Sequence, residues 1–392
     1  MRLPVAVIGR AWRTPLGATI DDVIVRLVAG ERAVAPNARS GASGYACTLA
    51  AAIAGDPARS RNARFLRRMG LFGLEVAHEA LAASGIAGGP RTGLFSGVGG
   101  LRAHWDDMMG ALVDQRDDGR DAWNRGLRDI HPYWMLRHLS NNVHALASAE
   151  LGLHGEGATF GGGNGGAQAI AAAARALWDG AIDAALVVAY DSLLEPETLV
   201  ELGARRAATH ATGAALAAPP YDARAAGFVP GEAAAAIVLV RPADASAPHA
   251  LVEAVDAADG QPAEPTAATV GRIVAQLGDP GAVGAVDGAS RAWPELDADE
   301  RLVLAALGAD TPLVSIAAAT GRLGAATAVV QAIALGEVLR RGVLPPIAGL
   351  EQPADGACIP LARATPTRAR SALALSTAAP GLAAGIRVEV AP

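Results

Sequence analysis

Val5–Gly9 is an unbroken apolar run closed by glycine, the pattern of a strand buried on both faces. Asp21 and Asp22 follow as helix-start signals for Val23–Val28, and Gly30 stops that helix. In Arg64–Ser84 the apolar residues Phe65, Met69, Phe72, Val76 and Ala80 recur at helical spacing. Arg91–Gly99 is a second buried strand running into glycines, and Leu136–Leu151 reads as one helix. Residues 36–62, rich in Pro, Gly, Ser and Arg, read as surface loop with a short strand near Cys47. Residues 100–135, with several Trp and Asp, look like an excursion from the sheet.

The two-proline stretch 241–250 predicts a boundary between halves, residues 1–245 and 246–392. After it the alternation resumes. Leu251–Ala257 is a strand, a helix lies near 264–277, a strand near Val283–Val286, a helix near 297–307, and a strand at Leu313–Ala317. Strands alternating with helices predict a mostly parallel sheet covered on both faces. There is also an internal echo. Glycines 161–166 lead into an Ala-rich helix, Ala167–Asp179, a stop at Gly180 and a strand at Ala184–Ala189. Later, Val314–Ala317 leads through Thr320-Gly321 to the Ala-rich helix Ala325–Arg341 and a stop at Gly342. Strand, tight turn, small-residue helix and Gly stop occur twice, a hint of duplication.

Composition narrows the chemistry. At about 150 residues per domain, 392 residues suggest roughly two or three domains or one large duplicated one. With 51% apolar and only 4% aromatic residues, the core must be built from Ala, Leu, Val and Ile. The 33 basic and 39 acidic residues give a net charge of -6, against a nucleic-acid partner. Every basic residue is Arg. Without Lys there is no Schiff base, no pyridoxal phosphate anchor and no Walker lysine. Cys47 and Cys358 cannot form a disulfide framework or a paired zinc motif, so no metal is expected and a cytoplasmic location is. The N-terminal apolar run is too short for a signal peptide, and no stretch is long enough to span a membrane.

Candidate sites are sparse. Both cysteines read as inert, and the eight His are scattered, none with a Ser or Cys in a triad-like pattern. Gly161–Gly166 is either a backbone cradle at a helix N-terminus or a turn that permits close packing, and the second reading is preferred. The GVGG at 97–100 is too short for a dinucleotide fingerprint. Arg59, Arg61, Arg64, Arg67 and Arg68 form a basic cluster; with Arg205 and Arg206 it offers a docking face for an acidic partner.

Several blocks in order resemble the β-ketoacyl synthase branch of the thiolase fold. VAVIGRAWRTPLG (5–17) is similar to the family's opening strand and turn. The loop 222–240 is the most specific match, with Asp222, Arg224, Gly227, Phe228, Gly231 and Glu232 at the family's spacing. Residues 136–155 resemble the segment before the nucleophile, and 319–346 the segment around the last catalytic His. The resemblance implies an α/β, thiolase-like αβαβα five-layer fold from two pseudo-symmetric halves, and a dimer across central strands. It also implies a catalytic Cys, two His and a supporting Lys.

None of those four is where the family's motifs put it. Counting back from the helix (Arg175, Gly180) places the nucleophile on Gly163; counting forward from Gly155 places it on Asn164. Pro294, Asp297 and Glu300 align with the first His motif and put that His on Ala289. Thr320-Gly321 puts the second His on Arg322 and the Lys on Ala317, and the family's gating Phe is missing from 376–385. The pattern resembles a chain length factor, the catalytically silent member of a ketosynthase pair, and most resembles those of aryl-polyene pathways. Expected partners are an active ketosynthase subunit, as a heterodimer, and an acyl carrier protein docked through Arg64, Arg67 and Arg68; no cofactor is implied. Two alternatives stay open: a non-catalytic homodimer that binds an acyl chain or acyl carrier protein, and an acyltransferase or thioester hydrolase with rewired residues.

Overall fold

The computed structural model describes residues 3–38, 44–58, 61–99, 130–256, 266–277, 282–379 and 382–391. The first apolar run forms β1 (Val5–Arg13), and a short hairpin follows from β2 (Val34–Pro36) and β3 (Leu49–Ala51). The first half continues with β4 (Thr92–Val98), β5 (Gly157–Gly161), β6 (Ala184–Ser192) and β7 (Glu232–Val240). The second half contributes β8 (Ala250–Asp256), β9 (Val286–Asp287), β10 (Pro312–Val314), β11 (Val343–Leu344) and β12 (Ile359–Pro360). It ends with β13 (Thr365–Pro366), β14 (Ser371–Ala379) and β15 (Leu382–Glu389).

The duplication hinted at by the sequence is explicit in the strand order. One sheet of 11 strands runs β12-β10-β9-β14-β15-β8-β1-β7-β6-β4-β5. Within it the first half reads β5-β4-β6-β7-β1 and the second β10-β9-β14-β15-β8, the same order of third, second, fourth, fifth and first strand. The directions repeat too. β4 pairs β5 and β6 in parallel while β7 pairs β6 and β1 antiparallel. β9 pairs β10 and β14 in parallel while β15 pairs β14 and β8 antiparallel. The halves join where β1 pairs β8 antiparallel, Val5 opposite Val252. The expected mostly parallel sheet is therefore corrected to a mixed one. Strand–helix alternation marks the parallel crossovers, but the fourth and fifth strands of each half are long neighbours that pair antiparallel.

Two helices form the middle of the molecule, Gly165–Trp178 and Thr327–Arg341, and each touches strands of both halves. The Arg68–Ser84 and Asn142–Leu151 helices cover the outer face of the first half; Thr266–Leu277 and Pro294–Leu304 lie outside the second. The resulting layers are helix, sheet, helix, sheet, helix. Helix Thr327–Arg341 is buried from Ala328 to Leu339, as expected of a helix apolar all round. Its buried Glu337 meets Arg10 of β1, and Arg340 reaches the same carboxylate at 2.6 Å.

Three local expectations change. Leu136–Leu151 is not one helix but two, Trp134–His138 and Asn142–Leu151, with extended backbone at Leu139. The Asn142 amide donates to the Leu136 carbonyl at 3.1 Å and competes with the helical ladder. The strand at Leu313–Ala317 ends at Val314, because Ser315 accepts from the Ala318 amide at 3.1 Å and starts the helix Ile316–Thr320. The helix expected from Arg64 begins at Arg68, after a 3-10 turn at Arg61–Arg64. The excursion placed at 100–135 falls on 100–129, outside the described residues, except for its end.

Glycine is required where backbones meet. A Cβ on Gly97 of β4 would lie 2.5 Å from the Gly165 carbonyl carbon and the Gly166 nitrogen. One on Gly166 would lie 2.4 Å from the Ala325 carbonyl oxygen, where the two central helices begin. Neither neighbour is a side chain that can rotate away. Gly97→Ala is expected to cost about 3 kcal/mol of stability, read as a lower urea midpoint at unchanged slope.

Candidate functional site

The turn from β5 into the first central helix sets one wall of the site. Gly162 takes φ +98°, its amide donates to the Val98 carbonyl at 2.8 Å, and its own carbonyl accepts from Gly165 at 2.9 Å. Asn164 is buried at the helix start, and its Oδ1 accepts from the Ser376 hydroxyl of β14 at 3.3 Å. Gly163 faces Ala378 of the same strand, which a Cβ would meet at 3.1 Å. Both residues singled out here thus lie against the end of β14.

Ala289, Ala317 and Arg322, far apart in sequence, line one small cavity of about 20 Å³ together with Ser290, Gln331 and Ser376. Ser376 joins that cavity to Asn164. The space is that of about one water. Arg322 occupies one side. Its Nη2 donates to the Thr377 carbonyl and to Thr377 Oγ1 at 3.2 Å, and its guanidinium stacks over Phe228 at 4.8 Å. Burial, with the charge of Arg291, brings its pKa down to about 10, so it stays a cation at neutral pH.

The cavity rests on a buried carboxyl network. Asp287 accepts from the Ile316 amide at 3.1 Å and from Gln331 at 3.0 Å. Glu300 accepts from the Ala289 amide at 2.8 Å, and Asp297 from the Tyr221 amide at 3.1 Å. The Tyr221 hydroxyl reaches Glu300 at 3.4 Å and accepts from the Ser290 amide at 3.1 Å. Desolvation dominates all three carboxyls, lifting Asp287 to about 7, Asp297 to about 6 and Glu300 to about 8. Ser290 and Ala292 hold φ near +56° and +55°, a strained turn that this network keeps in place.

The 222–232 motif is scaffold around that cavity. Asp222 is fully buried and accepts from the Arg224 side chain at 2.8 Å and from the Glu351 and Gln352 amides at 3.0 Å. These donors hold its carboxyl well below the usual range despite burial. Phe228 supplies the ring under Arg322, and the Gly231 amide donates to the Arg322 carbonyl at 2.8 Å. Glu232 is buried and accepts from the Ile53 amide at 2.9 Å and from Arg68 at 2.8 Å.

That last contact corrects the expected docking face. Arg68 points inward to Glu232 and donates to the Ile53 and Gly55 carbonyls at 2.9 and 2.8 Å, because a buried carboxylate needs a cation. Arg67 lies half-buried on a separate cavity of about 100 Å³ with Arg137, Asp191 and Glu195. Arg64 is exposed and sits over Phe65. Arg61 is exposed as well, Arg205 pairs with Glu201 at 2.9 Å, and Arg59 lies outside the described residues. The glycines at 97–99 serve close approach: Gly97 to the central helix, Gly99 to Asp191. Cys47 and Cys358 are buried away from the cavity, and burial pushes both thiols up. One pairing escaped the sequence reading. Ser96 Oγ and His144 Nδ1 lie 3.2 Å apart between β4 and the Asn142–Leu151 helix, with Ser96 buried. Arg32, Arg291, Ser376 and Thr377 were also missed, since nothing in their spacing signals the contacts. Among the described residues no group of His, Cys, Asp and Glu is arranged to hold a metal ion, and no helix is long and apolar enough to cross a membrane.

Two stability measurements follow from these contacts. Arg68→Met is expected to cost about 3 kcal/mol by removing the cation from buried Glu232, seen as a lower urea midpoint. Glu300, raised in the folded state to about 8, binds its proton more tightly there than in the unfolded chain. Stability is therefore expected to fall as pH rises from about 5 to about 8, and to change little from this group above that. Glu300→Gln should flatten that fall, measured as urea midpoints across the pH range.

Comparisons with known proteins agree with this architecture. The beta-ketoacyl synthase N-terminal domain matches residues 2–245. The chain is 30% identical over 227 residues to the oxytetracycline polyketide putative beta-ketoacyl synthase 1 of Streptomyces rimosus. That match covers 54% of this chain and about half, 52%, of the relative. Among solved structures, a beta-ketoacyl synthase from Burkholderia phymatum STM815 superposes with TM-score 0.85 at 22% identity, covering 100% of both chains. The ishigamide ketosynthase/chain length factor gives 0.81 at 17% identity. The AntDE:AntF complex, a type II polyketide synthase acyl-carrier protein with its hexaketide-bound ketosynthase, gives 0.80 at 17%; coverage is again 100% of both chains in each case. With the domain matching more than half of the sequence and the duplicated sheet in place, this chain belongs to the β-ketoacyl synthase family.

Proposed function

We propose that this chain is a catalytically silent ketosynthase-like subunit, a chain length factor. It pairs with an active β-ketoacyl-ACP synthase and shapes that enzyme's acyl tunnel during polyketide or fatty-acid-type chain elongation. The observation that carries the reading is the lining of the small cavity. A condensing enzyme needs a thiolate to accept the acyl group and imidazoles to stabilise the enolate formed on decarboxylation. Here the corresponding positions are Gly163 or Asn164, Ala289, Arg322 and Ala317, and the space is about 20 Å³. Methyl groups and a permanently charged guanidinium neither attack a thioester nor shuttle a proton. The Ser96–His144 pair does not favour the rewired-enzyme alternative, because Ser96 is buried.

The pairing surface we propose is the open edge of β5. The Leu94 amide donates to the Glu156 carbonyl and the Gly162 amide to the Val98 carbonyl. In the parallel register with β4 this turns the amides of Ala158 and Phe160 inward and that of Thr159 outward. Among the described residues no strand pairs with that outer edge. Met135, Leu136 and Leu139, exposed apolar residues, add to the case for a covering partner. Residues 1–245 and 246–392 are read as the two halves of the duplication, Arg64 with Arg61 as the remaining acyl-carrier contact, and the glycine-rich turn as the feature shared with aryl-polyene subunits.

Coexpression with the ketosynthase of the same gene neighbourhood is expected to yield a 1:1 complex by light scattering. Its malonyl decarboxylation should depend on the partner's catalytic cysteine. Thr159→Pro removes an outward amide without breaking a β4 bond and is expected to weaken the complex about tenfold or more at unchanged thermal stability. A stable homodimer with its own turnover would overturn the proposal.

A further inference from the structure

Among the described residues, glycine stands inside strands at Gly9, Gly93, Gly97, Gly157, Gly161 and Gly385. Glycine weakens a strand, so its presence there needs a cause. For all but one, the cause lies within the chain. A Cβ on Gly9 would run into the Ala80 carbonyl, on Gly93 into the Glu156 carbonyl, on Gly97 into the Gly165 backbone and on Gly157 into the Leu94 carbonyl. On Gly385 it would run into the Ile273 side chain. Gly161 is the exception. A Cβ there would meet none of the described residues within 4 Å, and Gly161 holds no positive φ that would call for glycine.

Gly161 is exposed and ends β5, the strand with the open edge. The parallel register with β4 turns the N–H and C=O groups of Ala158 and Phe160 inward and those of Gly157, Thr159 and Gly161 outward. Side chains alternate along a strand, so these three outward residues also share one face of the sheet. A bare Cα at such a position leaves room for another chain to approach. Two subunits of one fold that pair edge to edge do so about a near-two-fold axis, which runs the two strands antiparallel. With Thr159 at the centre, Gly161 stands opposite the partner residue equivalent to Gly157. In two copies of this chain that residue is glycine, as the Leu94 carbonyl requires. Both ends of such a ladder set glycine against glycine and forgo the cross-strand contact. A strand carrying a side chain at that position fills the space.

We propose that Gly161 is the socket for a side chain on the paired strand of the ketosynthase subunit, and that it selects this unlike partner over a second copy of the same chain. The inference rests on the pairing proposed above and names the residue that makes the pairing selective. Outward backbone groups supply the adhesion, which any strand can use; the empty place beside Gly161 supplies the discrimination.

The test uses the full chain and the ketosynthase of the same gene neighbourhood. Affinity for the ketosynthase and self-association are measured by analytical ultracentrifugation, and the thermal midpoint is measured on the chain alone. Gly161→Val is expected to weaken the complex about tenfold or more and Gly161→Ala about threefold, because each fills the socket in proportion to its size. Neither is expected to lower the midpoint, since nothing described in this chain occupies that space. Wild type is expected to bind the ketosynthase more tightly than it binds itself. A lower midpoint in both variants would show that the chain's own fold needs the glycine and would overturn the proposal. So would a wild-type homodimer, tighter than the mixed pair, that Gly161→Val disrupts. If wild type pairs and Gly161→Val pairs equally well, the socket fails while the silent-subunit reading stands. If wild type does not pair with the ketosynthase at all, both fail.

Discussion

Two helices buried between the two halves of the sheet are the constraint on which this molecule turns. A helix with sheet on both sides has no solvent face for long polar side chains, and backbones approach where residues are small. The segments Gly165–Trp178 and Thr327–Arg341 meet that demand with Gly, Ala, Val and Leu. Their N-termini come together where Gly166 lies beneath the Ala325 carbonyl, and Gly97 lets β4 run against the first of them. The buried polar side chains of the second helix, Gln331 and Glu337, are both engaged. Gln331 bridges Asp287 and the Leu375 carbonyl, and Glu337 is met by Arg10 and Arg340.

The same junction positions the cavity. The first central helix begins at Asn164, the second lies beyond Arg322, and β14 passes between them with Ser376 and Thr377 facing these two residues. Whatever side chains stand at these positions are brought together by the packing. In this chain they are small, amide or guanidinium groups. The scaffold remains demanding even so. Asp222, Asp297, Glu300 and Tyr221 each keep backbone partners around the cavity. Arg301 caps five successive carbonyls from Ala354 to Cys358, fixing the loop that Asp222 also holds. A scaffold of buried carboxyls and backbone amides thus surrounds a pocket lined by small, amide and guanidinium side chains.

Arginine, the only cationic side chain at neutral pH here, serves very different ends. Where it meets a buried carboxylate, as Arg68 meets Glu232, it is an internal strut that sequence clustering mistakes for a docking face. Where it meets carbonyls and an aromatic ring, as Arg322 does, it carries charge into a pocket without neutralising it. The residue type is the same, and the acceptor decides the role.

The sequence by itself carried the family resemblance, which implies the layers, and a hint of the duplication. Apolar runs ending in glycine, Ala-rich helices with Gly stops, and the Asp222–Glu232 spacing are local signals, and local signals survive reading in one dimension. It also marked Ala289, Ala317 and Arg322 as positions to compare, because short motifs flank each of them. What it did not determine was strand direction, since antiparallel pairing of β6 with β7 and of β14 with β15 depends on which neighbours the crossovers leave adjacent. Nor did it determine partners. Arg68 with Glu232, Ser376 with Asn164 and Ser96 with His144 join residues between 48 and 212 positions apart. Such contacts arise only when the sheets close on the central helices, because distance along the chain carries no information about which side chains the packing brings face to face.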